Sequence, residues 1–131
     1  MRILLFFLCT ALLPLLVKSQ AHLGSTLDDI KKLHPDKEFT VDTTQDGNTI
    51  AKAQMELGVF YYYFGVWDRS EYCAQIPTDN TAMNRQIEIY NESYLKIDNK
   101  TWKYYSNGCV MVINLVYIEE KKAYMFTYKS E

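Results

Sequence analysis

The sequence predicts a mainly β fold, with short N-terminal helices followed by a curved antiparallel sheet or a small, incomplete barrel. Three observations point there. Residues 59–67, VFYYYFGVW, are apolar or aromatic at eight of nine positions, as expected of a strand covered on both faces. Residues 86–97 alternate, with Ile87, Ile89, Leu95 and Ile97 on one parity and Gln86, Glu88, Glu92 and Lys96 on the other. Asn107-Gly108 is the strongest hairpin signal in the chain and leads into residues 109–118, which are apolar except for Asn114.

In chain order, Arg2, the apolar run 3–17 and the small residues Ser19 and Ala21 have the form of a secretory signal peptide. Cleavage is expected after Ser19 or Ala21, with residues 22–131 forming one secreted domain. The apolar run is too short to cross a bilayer, so no membrane association is expected. Ser25-Thr26 then precede LDDIKKL, with acids in the first turn and lysines in the last, and Pro35 disfavours helix at His34. This is a short helix whose apolar stripe is Leu27, Ile30 and Leu33. Residues 36–48 are polar and turn-rich and read as a surface connection. Ile50, Ala53 and Leu57 recur at helical spacing and predict a second short helix over about 48–56, which Gly58 hands over to the aromatic strand. Residues 76–80 read as a loop, residues 98–100 as a tight turn into 101–106, and residues 119–122 as a turn into 123–129. Five or six antiparallel strands are expected in all.

The whole chain carries 14 basic and 16 acidic residues. Removal of residues 1–21 takes away Arg2 and Lys18 and no acid, leaving a formal net of −4 with scattered cations. Nucleic acid is therefore not an expected partner, since a phosphate-binding face needs clustered Lys and Arg. Of three cysteines, Cys9 leaves with the signal, and a Cys73–Cys109 bridge is the simple expectation for an oxidising compartment. Asn91-Glu92-Ser93 and Asn99-Lys100-Thr101 are glycosylation acceptors. Asn99 sits in a turn, whereas Asn91 shares the parity of Ile89 and would face the core.

Enzyme chemistry finds no foothold. His22 and His34 both lie in the N-terminal segment, His22 beside the expected cleavage point, so neither is placed for a Cys-His or Ser-His couple, and His34 with Asp36 has no third metal ligand and reads as a solvated loop. Neither a metal site nor a cofactor is expected. Glu88, Glu92, Glu119 and Glu120 read as solvated charges.

The segments GNTIAKAQMELGVFYYYFGVWDRSEYC and YYSNGCVMVINLVYIEEKKAYMFTYKSE resemble the salivary lipocalins of ticks. There a helix precedes the first barrel strand, a cysteine follows that strand, and a late Cys-x-Val strand pairs with one ending in aromatics. The resemblance implies a lipocalin-like barrel and a carrier that sequesters a small apolar or amphipathic ligand. Amine-binding members carry Cys-Asp and an aliphatic residue where this chain has Cys109-Val110-Met111, and their counterparts of Cys73 and Cys109 pair with later cysteines.

Two functions follow from the sequence. In the first, a small hydrophobic or amphipathic ligand is walled by Tyr61, Tyr63, Trp67, Trp102 and Tyr104, because aromatics at alternating positions of two strands offer large apolar area with polar tips. Glu88 would be its charged anchor. In the second, the chain is a protein-interaction module or inhibitor with a helix packed on a sheet, as in cystatins, acting on an extracellular protein through exposed Tyr and Trp. The Gln-x-Val-x-Gly loop that marks cystatins is absent.

Overall fold

The computed structural model describes residues 21–65, 67–106 and 108–131. The expected signal sequence apart from Ala21, together with Val66 of the aromatic run and Asn107 of the expected hairpin turn, lies outside these residues. Helix α1 (Leu27–Leu33) leads into strands β1 (Phe39–Thr43), β2 (Thr49–Met55), β3 (Gly58–Phe64) and β4 (Ser70–Pro77). Helix α2 (Asn80–Ser93) then crosses to β5 (Leu95–Asp98), β6 (Thr101–Ser106), β7 (Cys109–Ile118) and β8 (Ala123–Ser130). All eight strands form one antiparallel sheet in the order β1-β2-β3-β4-β8-β7-β6-β5. The sheet is curved and open, with β1 and β5 as edges, so the open arrangement and not a closed barrel is the one formed.

Local chemistry accounts for most of the hairpins. Ser106 pairs with Cys109 across the predicted Asn107-Gly108 turn, where Gly108 takes a φ of +77°. Ile118 pairs with Ala123 around the predicted turn at 119–122. Gly58 is required for packing, because a Cβ there would run into the Ile76 carbonyl on the neighbouring strand. Pairing of β4 with β8 joins two four-strand meanders, and α2 makes the crossover between them.

Three expectations are corrected. Residues 49–55 form a strand, not a helix, with Ala51, Ala53 and Met55 buried and Lys52 and Gln54 exposed. The period-2 set won over the Ile50-Ala53-Leu57 spacing because turns on both sides fold the segment back as a hairpin strand. Residues 36–48 contain β1, an exposed edge strand. Of the strand expected over 86–97 only residues 95–98 are extended, and residues 86–93 lie in helix α2. Its N-cap Asp79 accepts the Ala82 N–H at 2.8 Å, and its buried stripe is Gln86 and Tyr90, flanked by Met83, Ile87 and Tyr94. Two of the deepest side chains of that stripe are polar, so hydrophobic periodicity could not reveal it. α1 forms as predicted, capped by Thr26 accepting the Asp29 N–H; Ile30 is fully buried while Leu33 points to solvent.

Strand register divides the sheet into two faces. Tyr62, Cys73, Tyr128, Ile113 and Trp102 are successive partners across β3, β4, β8, β7 and β6 and share the inner face. That face carries the core: Phe60, Tyr62, Trp102 and Phe126 are fully buried there beneath the helices. Tyr61, Ala74, Thr127, Asn114 and Thr101 are the corresponding row on the outer face.

Candidate functional site

The predicted ligand wall is not assembled. Trp102 lies on the inner face with no solvent exposure, edge-on to Tyr90 with ring centroids 5.8 Å apart, and its Nε1–H donates to the Asn91 Oδ1 at 2.9 Å. Tyr104 shares that face, half-buried and stacked on Tyr94 at 4.5 Å. Tyr61 and Tyr63 project from the opposite face, since one-residue parity in β3 separates them from Tyr62. Trp67 is in the β3–β4 turn and 81% exposed. Glu88 is on the solvent side of α2, so it cannot anchor a ligand among the other five.

The space a carrier would use is occupied by protein. Gln86 and Tyr90 of α2 enter the inner face and meet Gln75 of β4 and Tyr128 of β8. Gln75 and Gln86 exchange amide hydrogen bonds of 2.6 and 2.5 Å, the Tyr90 and Tyr128 hydroxyls are 2.6 Å apart, and Tyr128 donates to the Gln75 Oε1 at 2.9 Å. Gln86 also donates to the Tyr90 hydroxyl at 3.0 Å. Burial pushes the Tyr90 phenol up to about 12 and that of Tyr128 well above its usual range. All four groups are therefore neutral at physiological pH, and their mutual pairing removes the penalty of burying them.

The cysteines do not form the expected bridge. Cys73 is buried opposite Tyr128 and Cys109 is exposed at the start of β7, both as free thiols. Tyr128 pairs with Ile113, so Cys109 is two strands across and four residues along from Cys73, roughly 16 Å away at sheet spacings. A disulfide spans less than about 7 Å between Cα atoms. Of the glycosylation acceptors, Asn99 is exposed in the β5–β6 turn as expected. Asn91 is on α2, exposed rather than facing the core, because the segment is helical.

Two features were not legible in the sequence. The first is the outer face. Its strand positions carry Tyr61, Tyr63, Tyr72 and Tyr105 together with Lys52, Lys103 and Lys129, against Asp42 at the β1 edge. Tyr63 and Tyr72 pack edge-on at 5.4 Å, and the ammonium groups of Lys52 and Lys121 lie 5.7 and 5.6 Å from the Tyr61 ring centre. Lys103 is paired with the Glu131 carboxylate. A chain that is acidic overall thus presents a sheet face of tyrosine and lysine. The second is an open cleft of about 360 Å³ between the start of α2 and the end of the β7–β8 hairpin, lined by Pro77, Asp79, Met83, Tyr117 and Tyr124.

The N-terminal segment adds an arrangement that its sequence spacing hid. Residues 22–25 run beside the start of β4, with Gly24 N–H bonded to the Ser70 carbonyl at 2.7 Å, Ser70 N–H to the Ser25 carbonyl at 2.8 Å, and the Arg69 guanidinium to the Gly24 carbonyl at 2.9 Å. This places the His22 Nε2 at 2.9 Å from the Nε2 of His34, the C-cap of α1.

Fold and surface together define a helix-on-sheet module with a filled inner face and a tyrosine- and lysine-rich outer one. Comparison with protein-family models, curated proteins and solved structures finds no match.

Proposed function

We propose that this chain is an exported binding module that engages an acidic extracellular protein through the outer face of its sheet. The observation that carries the reading is the division of labour between faces: α2 fills the inner one with a closed hydrogen-bonded cluster, while Tyr61, Tyr63 and Tyr72 stand half-exposed on the other beside Lys52 and Lys121. Tyrosine supplies contact area at low rotamer cost, and flanking lysines favour a partner surface of carboxylates. Export rests on residues 1–21 acting as a signal, and Asn99, at a turn tip, is the acceptor best placed for a glycan.

The test is capture of extracellular proteins on the immobilised mature chain at low and high salt. Lys52→Glu/Lys121→Glu and Tyr61→Ala serve as paired variants. An acidic partner held by the wild type, released by salt and lost in both variants with unchanged circular dichroism, supports the proposal. Undiminished capture by both variants removes the outer face from consideration. A carrier function is the second reading, favoured by the cleft between Met83, Tyr117 and Tyr124, whose volume suits a small amphipathic ligand. Quenching of tyrosine emission by such ligands, abolished by Tyr117→Ala, would establish it in place of the first.

A further inference from the structure

The open sheet ends in two unlike edges. β5 is blunted: it has four residues, its register slips between Lys96 and Asp98, and Lys96 sits within it. β1 carries none of these devices. Phe39–Thr43 contains no lysine, proline or bulge, its pairing with β2 is regular throughout, and Thr40, Val41, Asp42 and Thr43 are all exposed, Val41 by 48%. The phase of the β1–β2 ladder follows from its turn. The Thr44 N–H donates to the Asn48 carbonyl at 2.8 Å, and the Gly47 N–H closes the turn on the Thr44 carbonyl at 3.0 Å, with a Gly47 φ of +83°. Thr44 and Asn48 are thus a hydrogen-bonded pair. By alternation Asp42 and Thr40 bond inward to β2, and the N–H and C=O groups of Phe39, Val41 and Thr43 point away from the sheet. The Thr43 N–H agrees with this phase, being bonded to the Asp42 Oδ1 at 2.8 Å.

We propose that the β1 edge is a self-association surface, at which β1 of a second copy of this chain pairs antiparallel about a two-fold axis through Val41. In that register Phe39, Val41 and Thr43 exchange backbone bonds with Thr43, Val41 and Phe39 of the second copy, so each outward-pointing group of the strand gains a partner. The Asp42 carboxylate gives up the Thr43 N–H to the second copy's Phe39 carbonyl. Side-chain order selects the same register. Asp42 falls opposite Thr40 and Glu38 opposite Thr44, whereas centring the pair on Asp42 would set two carboxylates against each other, and centring it on Thr40 would leave Thr43 facing Lys37, outside β1. The exposed Val41 side chains cover one another. A strand of five residues spans about 17 Å and buries less than the ~1,000 Å² of a lasting interface, so the dimer is weak and reversible. Blunted β5 strands form both ends of the joined sheet, and assembly therefore stops at two. The outer faces of the two copies lie side by side and stay open to the partner proposed above.

The experiment is sedimentation velocity on the mature chain over about 10–500 μM, with amide exchange resolved to single residues at low and high concentration. A monomer–dimer equilibrium within that range is expected. Raising the concentration should protect the Phe39 and Val41 amides while those of Thr40 and Asp42, already bonded to β2, change little. Val41→Pro removes an outward N–H at a position where an edge strand tolerates proline, and Val41→Lys brings two ammonium groups together on the axis. Each should weaken association at least tenfold with the circular dichroism of the wild type, and Leu95→Lys on β5 should leave it unchanged. Should a Val41 variant fail to fold, the alternating protection in the wild type still decides. A monomer throughout the range, association that persists in both Val41 variants, or protection gained on β5 and not at alternate residues of β1 overturns the proposal. Capture of an acidic protein through the outer face is a separate readout that none of these outcomes alters.

Discussion

Gln75 and Gln86 face each other across the helix–sheet interface, each side-chain amide donating to the carbonyl of the other at 2.6 and 2.5 Å in a site closed to solvent. This pair fixes the rotation and register of α2 on the sheet, because a one-residue slip of the helix would leave two amides and two phenols buried without partners.

Gln86→Leu should therefore destabilise the fold by about 2–4 kcal/mol, leaving Gln75, Tyr90 and Tyr128 to compete for fewer bonds. Gln75→Leu/Gln86→Leu should cost less than the sum of the single changes. Urea unfolding of the three variants measures both quantities, and strict additivity would refute the coupling.

Trp102→Ala should act on the fold and not on a ligand. It removes a fully buried indole that packs on Tyr90 and Phe126 and bonds to Asn91, so a loss of about 3–5 kcal/mol and a sharp fall in the yield of folded protein are expected. Trp102→Phe should retain most of the stability but lose the Asn91 bond. A Trp102→Ala protein as stable as the wild type would contradict its place in the core.

Stability should fall in mild acid through His22. Burial and His34 push its pKa from the ordinary 6.5 to about 4, so between those values the unfolded chain takes up a proton that the folded chain refuses. The contribution is complete above pH 6.5 and is lost as the pH falls toward 4. Its upper bound is about 3 kcal/mol, lessened because the ring is partly exposed to solvent. In a His22→Asn variant the urea midpoint should change less between pH 7 and 5 than in the wild type; identical slopes would exclude His22 as the source.

The two thiols should differ in reactivity. Cys109 is exposed and should be alkylated at once in the native protein, whereas Cys73 is buried, its thiol pushed well up by desolvation, and should react only on unfolding. Peptide mass mapping after a short pulse of iodoacetamide reads each site. A native chain with no alkylatable thiol would mean that the predicted bridge forms after all.

Elements governed by neighbours in the chain were legible. Thr26 capping α1, the aromatic β3 as far as Phe64, the pairing of Ser106 with Cys109 and the turn at 119–122 each depend on residues a few positions apart, and each agrees with the sequence reading. The errors share a cause. β2 and α2 differ from the sequence expectation because the apolar spacing of Ile50, Ala53 and Leu57 imitates a helix, and because α2 buries an amide and a phenol that apolar periodicity does not register.

Composition and local chemistry by themselves determined that this is a mainly β chain, with β7 a strand joined to β6 as a hairpin and a short capped helix before the sheet. Only the tertiary structure decided which aromatics meet. The β4–β8 pairing and the register carried through five strands put Trp102 on the same face as Tyr62 and leave Tyr61 on the other side of the sheet; they separate Cys73 from Cys109; and docking of residues 22–25 on β4 brings His22 to His34. The physical reason is that a strand's parity defines two faces but not which face of a distant strand it will join. That choice is made by the docked helix α2, through hydrogen bonds between residues such as Gln75, Gln86, Tyr90 and Tyr128 that lie far apart in the chain.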